Sequence, residues 1–401
     1  MTRTVFRGGS LFDGTGAPPA PSDVAIEDGR IVDIGPGLDG DDAIDVTGRT
    51  LLPGMFDCHV HLTLSHLDTL RAMEEPFSYQ FFAAARNLRL TLETGITTVR
   101  DAWGADLGVK QALADGLIEG PRVQASIAML SQTGGHGDDW HACGSDVNLW
   151  PPHPGRPSGI VDGPDEMRRR VRELVRAGAD VIKVATTGGV LSPRDKPTQA
   201  QFRDDELRVL VEEATAAGIP VMAHAQGMSG IKAALRAGVR SIEHGIYLDD
   251  EAISMMLERG TYLVPTLAAP LGVLDAADAG AAIPADQVRK AREVVDAHRD
   301  SARRAIAAGV PVALGTDAPI SPHGQNLREL ELLVGAGMTP AQALVAATRT
   351  AAELCRLGDE LGTVEPGKRA DLVVLRGDPL DVSGYRERIE GVWQDGRRLV
   401  G

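Results

Sequence analysis

Cysteine is nearly absent. The 401 residues hold three, Cys58, Cys143 and Cys355, at unrelated spacings and too few for a disulfide framework. No run of about 18 apolar residues occurs, which excludes a membrane-spanning helix, and residues 1–20 lack the apolar stretch of a secretory signal. Basic residues are outnumbered, 41 Lys and Arg against 56 Asp and Glu, and the net charge of −15 argues against a nucleic-acid or anionic-membrane partner. A small-molecule substrate stays open. These absences predict a soluble, cytoplasmic protein. What is there is ordinary for a globular chain, 43% apolar and 24% charged, so disorder and fibrous repeats are excluded. The length suggests two or three domains.

The two ends read alike. Thr4–Arg7, Asp23–Glu27 and Arg30–Ile34 are short alternating runs, broken at Asp28-Gly29 by a hairpin signal. Ala370–Leu375 and Ile389–Trp393 have the same texture, and Asp395-Gly396 marks a second hairpin before Arg397–Val400. Neither end has enough apolar residues to fold alone. The expectation is one small composite β-sandwich domain built from residues 1–52 and 364–401, in which Trp393 and Tyr385 pack.

The interior, residues 53–363, alternates β-branched runs with amphipathic stretches, the pattern of βα units around a parallel sheet. Strands are expected at Met55–Leu62, Thr97–Trp103, Val123–Leu130, Val181–Ala185, Val221–Ala225, Ser241–Gly245, Tyr262–Leu267 and Val312–Asp317. Helical stretches such as Asp165–Ala177, Asp204–Ala217 and Ile231–Ala237 lie between them, and several end in Ala-Gly, a helix C-cap signal. Eight strands predict the α/β class, as a (β/α)8 TIM barrel. A doubly wound sheet is the alternative, but no Gly-x-Gly-x-x-Gly follows the first strand. Ser131–Gly159 reads as a long functional loop, and Ala268–Ser301 as helical from Pro284 onward.

Polar residues gather at the ends of the expected strands, where a barrel keeps its active site. Strand one ends Asp57-Cys58-His59-Val60-His61, and period two turns both histidines to one face, where they can share a divalent metal. Strand four carries Lys183 in an apolar run, a buried charge that needs a partner or a modification. His224, His244 and Asp317 end strands five, six and eight. Each alone is as readily a satisfied polar residue as a functional one. Coincidence across five strands is a poor explanation.

On these residues the chain resembles the amidohydrolase superfamily over essentially its whole length. Leu52–His61 is similar to the superfamily's entry into its first barrel strand, and Leu361–Leu372 to its return to the β-sandwich. Thr133-Gly134-Gly135-His136-Gly137, Ser241–Gly245 and Gly315–Pro319 resemble the imidazolonepropionase-related branch, which includes dipeptidases of the prolidase and Xaa-Arg type and ochratoxin-hydrolysing carboxypeptidase-like enzymes. The resemblance implies two divalent metals, zinc or else cobalt or manganese. His59, His61 and Asp317 would hold one, His224 and His244 the other, with carboxylated Lys183 between them. It further implies a metal-bridging hydroxide as nucleophile and Asp317 as the proton shuttle. Carboxylation would also answer the puzzle of a buried lysine. Homo-oligomeric assembly is implied as well.

The substrate side is read from fewer signals. His136, glycine-flanked on a loop over the barrel mouth, is better placed for binding than for packing. Gln226 stands where related prolidases carry Tyr and Xaa-Arg dipeptidases His; it can donate a hydrogen bond but cannot titrate. Trp140, His141 and Trp150 could line a pocket for a bulky acyl group, and Arg194 and Lys196 could meet a carboxylate. His323 would steady the loop beneath the site or contact substrate. Asp57 reads as an orienter or a structural acceptor, Arg100-Asp101 as a structural ion pair, and His66, His153 and His298 as unremarkable. The expected function is hydrolysis of an amide in a small N-acyl or aminoacyl amino acid. A cyclic-amide hydrolase, or a hydrolase of a xenobiotic amide, carbamate or ester, is the alternative. Deamination falls behind because no Glu follows His224 closely, and a silent scaffold because no ligand is missing.

Overall fold

The computed structural model describes residues 2–138, 140, 143–144 and 149–401. Seven strands lead the chain: β1 (Thr4–Arg7), β2 (Ser10–Leu11), β3 (Ala20–Pro21), β4 (Asp23–Glu27), β5 (Arg30–Gly35), β6 (Asp42–Asp45) and β7 (Arg49–Pro53). The middle supplies β8 (Met55–Val60), β9 (Ile96–Asp101), β10 (Arg122–Ala125), β11 (Met129–Leu130), β12 (Ile182–Ala185), β13 (Val221–Ala225), β14 (Ser241–His244) and β15 (Tyr262–Val264). The far end adds β16 (Leu372–Arg376), β17 (Ile389–Gln394) and β18 (Arg397–Val400).

The end strands make two sheets, ordered β5-β4-β1-β6 and β18-β17-β16-β7-β2-β3. The second sheet joins both ends of the chain, with β16 antiparallel to β7 and Leu372 opposite Pro53. Both Asp-Gly pairs turn with positive φ, 49° and 75° at Asp28-Gly29 and 52° and 73° at Asp395-Gly396, as a tight hairpin requires. Alternation delivers Phe6, Val24 and Ile26 from one sheet and Leu51, Leu372 and Trp393 from the other into one buried cluster. Tyr385, expected beside Trp393, belongs instead to the large cluster of the middle region. It stands before a 3-10 turn, Arg386–Arg388, rather than in β17, so the strand's alternation does not carry it.

The middle strands form parallel ladders, β8–β9–β10 and β11 through β15. The expected third strand is broken in two, because Ile127 is left-handed at φ 69°; β10 therefore pairs with β9 and β11 with β12. The expected eighth strand is no regular strand. Bridges Leu263–Val312 and Val60–Ala318 nevertheless set that segment parallel between β15 and β8, and Cys58 N donates to Leu314 O at 2.8 Å. The result is a TIM-barrel-type α/β arrangement. Gly178, Gly218, Gly238 and Gly309 end their helices in the left-handed region, as the Ala-Gly signals predicted. Helix Ala268–Asp278 precedes Ala285–Ala308 in the stretch expected to be helical only later. Its Pro and Gly masked it, and Gly272 is needed there because a Cβ would overlap Ile320 O. Among the described residues no helix is long and apolar enough to cross a membrane.

Candidate active site

Parallel pairing brings the strand ends to one side, and with them the six residues singled out in sequence. Ala185 lies opposite His224 and Ala225 opposite His244, so β12, β13 and β14 present Lys183, His224 and His244 in step. His59 lies in β8 and His61 just beyond it. Asp317 N donates to His59 O at 2.7 Å, which seats Asp317 beside that histidine. His244 and Asp317 are both left-handed, φ 69° and 60°. For non-glycine residues this costs about 1–3 kcal/mol each and persists where surrounding structure over-determines it, which is typical of functional sites.

Hydrogen bonds fix which ring nitrogen each histidine offers. His59 Nδ1 donates to Glu243 Oε2 at 2.7 Å, and His61 Nδ1 to Trp103 O at 3.1 Å. In the neutral form that binds metal, each Nε2 is then a lone pair. Both face the same oxygen, Asp317 Oδ1, at 3.4 Å from His59 and 3.0 Å from His61. Acceptors aimed at a carboxylate repel unless a cation sits among them. His224 Nε2 donates to Gly188 O at 3.1 Å, which leaves Nδ1 free to ligate, and His244 Nδ1 meets Thr266 Oγ1 at 2.7 Å, which leaves Nε2. Lys183 Nζ is 3.4 Å from His59 Nε2. Among the described residues, His59, His244 and Asp317 offer ligand atoms that all lie within 4.8 Å of one another. Imidazoles and a carboxylate suit zinc or a related divalent ion. The donor set fits a metal.

Burial sets the charges. It holds His59, His224 and His244 well below the ordinary 6.5, so they stay neutral and able to ligate. It lowers Lys183, only 1% exposed, to about 8 against the opposing pull of Glu243 and Asp317. Around the ligands lies a buried scaffold. Arg100 holds Glu243 through both carboxylate oxygens at 3.0 and 3.2 Å and reaches Cys58 O at 2.7 Å. Arg100 thus pairs with Glu243, not with its neighbour Asp101, whose carboxylate accepts the amides of Leu62, Trp103 and Ala105. Asp57 takes the amides of His59 and Thr316, the Thr316 hydroxyl and Asn326 Nδ2, tying β8 to the segment that carries Asp317.

Above the ligands opens a cavity with mostly apolar walls, among them Val190, Leu191, Ile246 and Val273. His136 and Gln226 line it. Trp150 lines it too, stacked on Trp103 at 4.2 Å, with Nε1 donating to Thr63 Oγ1 at 2.9 Å. Trp140 does not line it. It is 44% exposed and lies under the Arg194 guanidinium at 4.5 Å. His323 is also withdrawn from the cavity, bonded to Thr91 Oγ1 and His61 O beneath the site. His141 lies outside the described residues. His66 and His298, read as unremarkable, both line the cavity, His298 with Nε2 donating to Pro265 O at 2.7 Å. Sequence reasoning missed Glu243; its signal was a carboxylate inside a strand buried on both faces.

Known proteins resemble this chain in sequence and fold. The amidohydrolase family profile matches residues 50–400. An ochratoxinase from Aspergillus niger is 35% identical, the alignment covering 99% of this chain and 87% of that one. An imidazolonepropionase from Geobacillus kaustophilus is 26% identical, covering 88% and 83%. A crystal structure of a Xaa-Pro dipeptidase with methionine bound in its active site superposes with a TM-score of 0.91 at 34% identity, covering all of both chains.

Proposed function

Since the chain belongs to the amidohydrolase family and is a hydrolase acting on C–N bonds, we propose that it is a binuclear metal-dependent enzyme cleaving the amide of a small N-acyl or aminoacyl amino acid. One observation carries this reading: two histidines anchored through Nδ1 turn their Nε2 atoms on one oxygen of Asp317, beside buried Lys183 and beneath an apolar cavity. His59, His61 and Asp317 would hold one divalent ion and His224 and His244 the other, with carboxylated Lys183 shared between them. When bound, the ions supply Lewis-acid polarisation of the scissile carbonyl and an acidified water. Asp317 takes the proton of the attacking water on its carboxylate and passes it to the leaving amine. His136 and Gln226 orient the substrate, and the Trp103–Trp150 stack receives the acyl side. The methionine held by the related dipeptidase supports an amino acid as product.

A second reading has its own support. Among the described cavity-lining residues there is no Arg and no Lys besides Lys183, which favours an uncharged amide, carbamate or ester. In the same proposal, residues 1–52 and 364–401 are one β-sandwich domain and 53–363 the barrel, supported by the cluster that both end sheets share. Homo-oligomer assembly is supported by exposed Leu70, Met73, Phe77 and Phe82. The test is metal content by plasma mass spectrometry on protein purified without chelator, with a screen of dipeptides and N-acyl amino acids. Close to two ions per chain, one of them lost in Lys183→Ala, together with turnover of a linear amide, is expected. One ion or none, without turnover after reloading in bicarbonate, overturns the binuclear reading.

A further inference from the structure

His136 does not stand free over the cavity. Its Nδ1 lies 3.0 Å from Ser192 Oγ, and Ser192 Oγ in turn is hydrogen-bonded to Asp195 Oδ1. Both partners are buried, Ser192 to 3% and Asp195 to 7% exposure. A carboxylate oxygen only accepts, so between Ser192 and Asp195 the hydroxyl is the donor, and with its proton given to Asp195 rather than to Gly189 O at 3.1 Å, its oxygen accepts from His136. The other carboxylate oxygen is held by Gln201 Nε2 at 2.8 Å, and Gln201 Oε1 accepts the His136 amide at 3.1 Å. Lys290, from helix Ala285–Ala308, donates to the carbonyls of Gly189 and Ser192 at 3.1 and 2.7 Å and clamps the loop from behind. The ring stacks on His224 at 3.9 Å, 17° from parallel, and Gly189 lies close against it, since a Cβ there would come within 2.5 Å of Nδ1.

We propose that Asp195, acting through Ser192, is a positioning residue that keeps His136 protonated at Nδ1 and leaves its Nε2 as the atom offered to substrate. The logic is that of a carboxylate orienting an imidazole, with a hydroxyl interposed: the hydrogen bond at one ring nitrogen decides what the other presents. The consequence for substrate rests on the proposed contact of His136. Without the relay the ring can turn, and a cavity whose described lining has no Arg and no Lys besides Lys183 loses one of the two polar groups that orient substrate, leaving Gln226.

Histidine-selective 15N NMR on the enzyme as purified reads the protonated nitrogen directly, with His136 assigned by the signal lost in His136→Gln. Wild type is expected to carry the proton on Nδ1, and Ser192→Ala and Asp195→Asn to give mixed forms. Steady-state kinetics on an N-acyl amino acid series should show KM rising about tenfold in both variants with kcat within about twofold, and Ser192→Thr should restore both readouts. Wild-type His136 protonated at Nε2 with Nδ1 bare overturns the relay. So does an unchanged tautomer and KM in both variants while His136→Gln raises KM. If His136→Gln leaves KM unaltered, the substrate contact fails, and the NMR result decides the relay by itself.

Discussion

Glu243 lies between two partners, the guanidinium of Arg100 and Nδ1 of His59. Glu243→Gln removes the charge that both rely on. Metal affinity should fall about 10- to 100-fold, as when the orienting group behind a metal-binding imidazole is lost. Leaving Arg100 buried and unpaired should cost about 3–5 kcal/mol. Equilibrium dialysis and urea unfolding check the two effects separately. Lys183 makes a prediction of its own. With its amine lowered to about 8, roughly one in ten is neutral at pH 7, against a few in ten thousand at the ordinary 10.5. Only the neutral amine attacks carbon dioxide, so carbamate formation in metal-free protein should rise from pH 7 to 9 and level off, read by 13C NMR with labelled bicarbonate. The site histidines set stability in acid. Their folded values lie below 6.5, so beneath that pH the unfolded chain binds more protons. The urea midpoint of metal-free protein should fall as pH drops below about 6.5; a midpoint flat from pH 7 to 5 contradicts this.

Single elements show where local rules yield to packing. Helix Met228–Ala237 contains Gly230, and helix propensity alone makes Gly230→Ala stabilising by about 1 kcal/mol. A Cβ there would overlap Thr186 O and Thr187 Cγ2, and the helix cannot back away without uncovering buried Ile231, Ala234 and Leu235. The substitution should instead cost about 1–3 kcal/mol, measured by urea unfolding. It should also weaken substrate binding, because Thr187 Oγ1 accepts the Gln226 backbone N–H at 2.9 Å and so places that residue. The same precedence of packing over local pattern explains the misread strands. Ile127 has nothing in its chemistry that announces a left-handed backbone, and Asp317, of a type that adopts it more often than most, gives only a weak signal, so the third and eighth strands read as continuous in sequence.

At the scale of the molecule, the far end of the chain completes what the near end begins. Without β16 and β17, β7 loses a pairing partner, and Leu51, Val24 and Phe6 lose Leu372 and Trp393. Arg122 at the start of β10 is bonded to Asp371 and, at 2.7 Å, to Asp395, which ties the middle region to the end sheets. Deleting residues 364–401 should therefore abolish soluble, folded protein rather than trim it, seen as loss of soluble expression and of a cooperative melt. A truncated chain that melts cooperatively would refute this dependence.

Sequence by itself determined the parallel α/β texture, the hairpins at both ends and the six polar strand ends. Each of these is written in local period, turn chemistry or residue type. Tertiary structure alone decided the rest. Glu243 and the Ser192–Asp195 pair are ordinary polar residues until folding buries them against His59 and His136. Trp140 and Trp150 are equivalent as letters in one stretch of sequence, and only the fold puts Trp150 against His61 and Trp140 under Arg194. The reason is physical. Strand periodicity is a property of neighbours in the chain, whereas which nitrogen of a ring carries its proton is set by an atom 56 or 184 residues away.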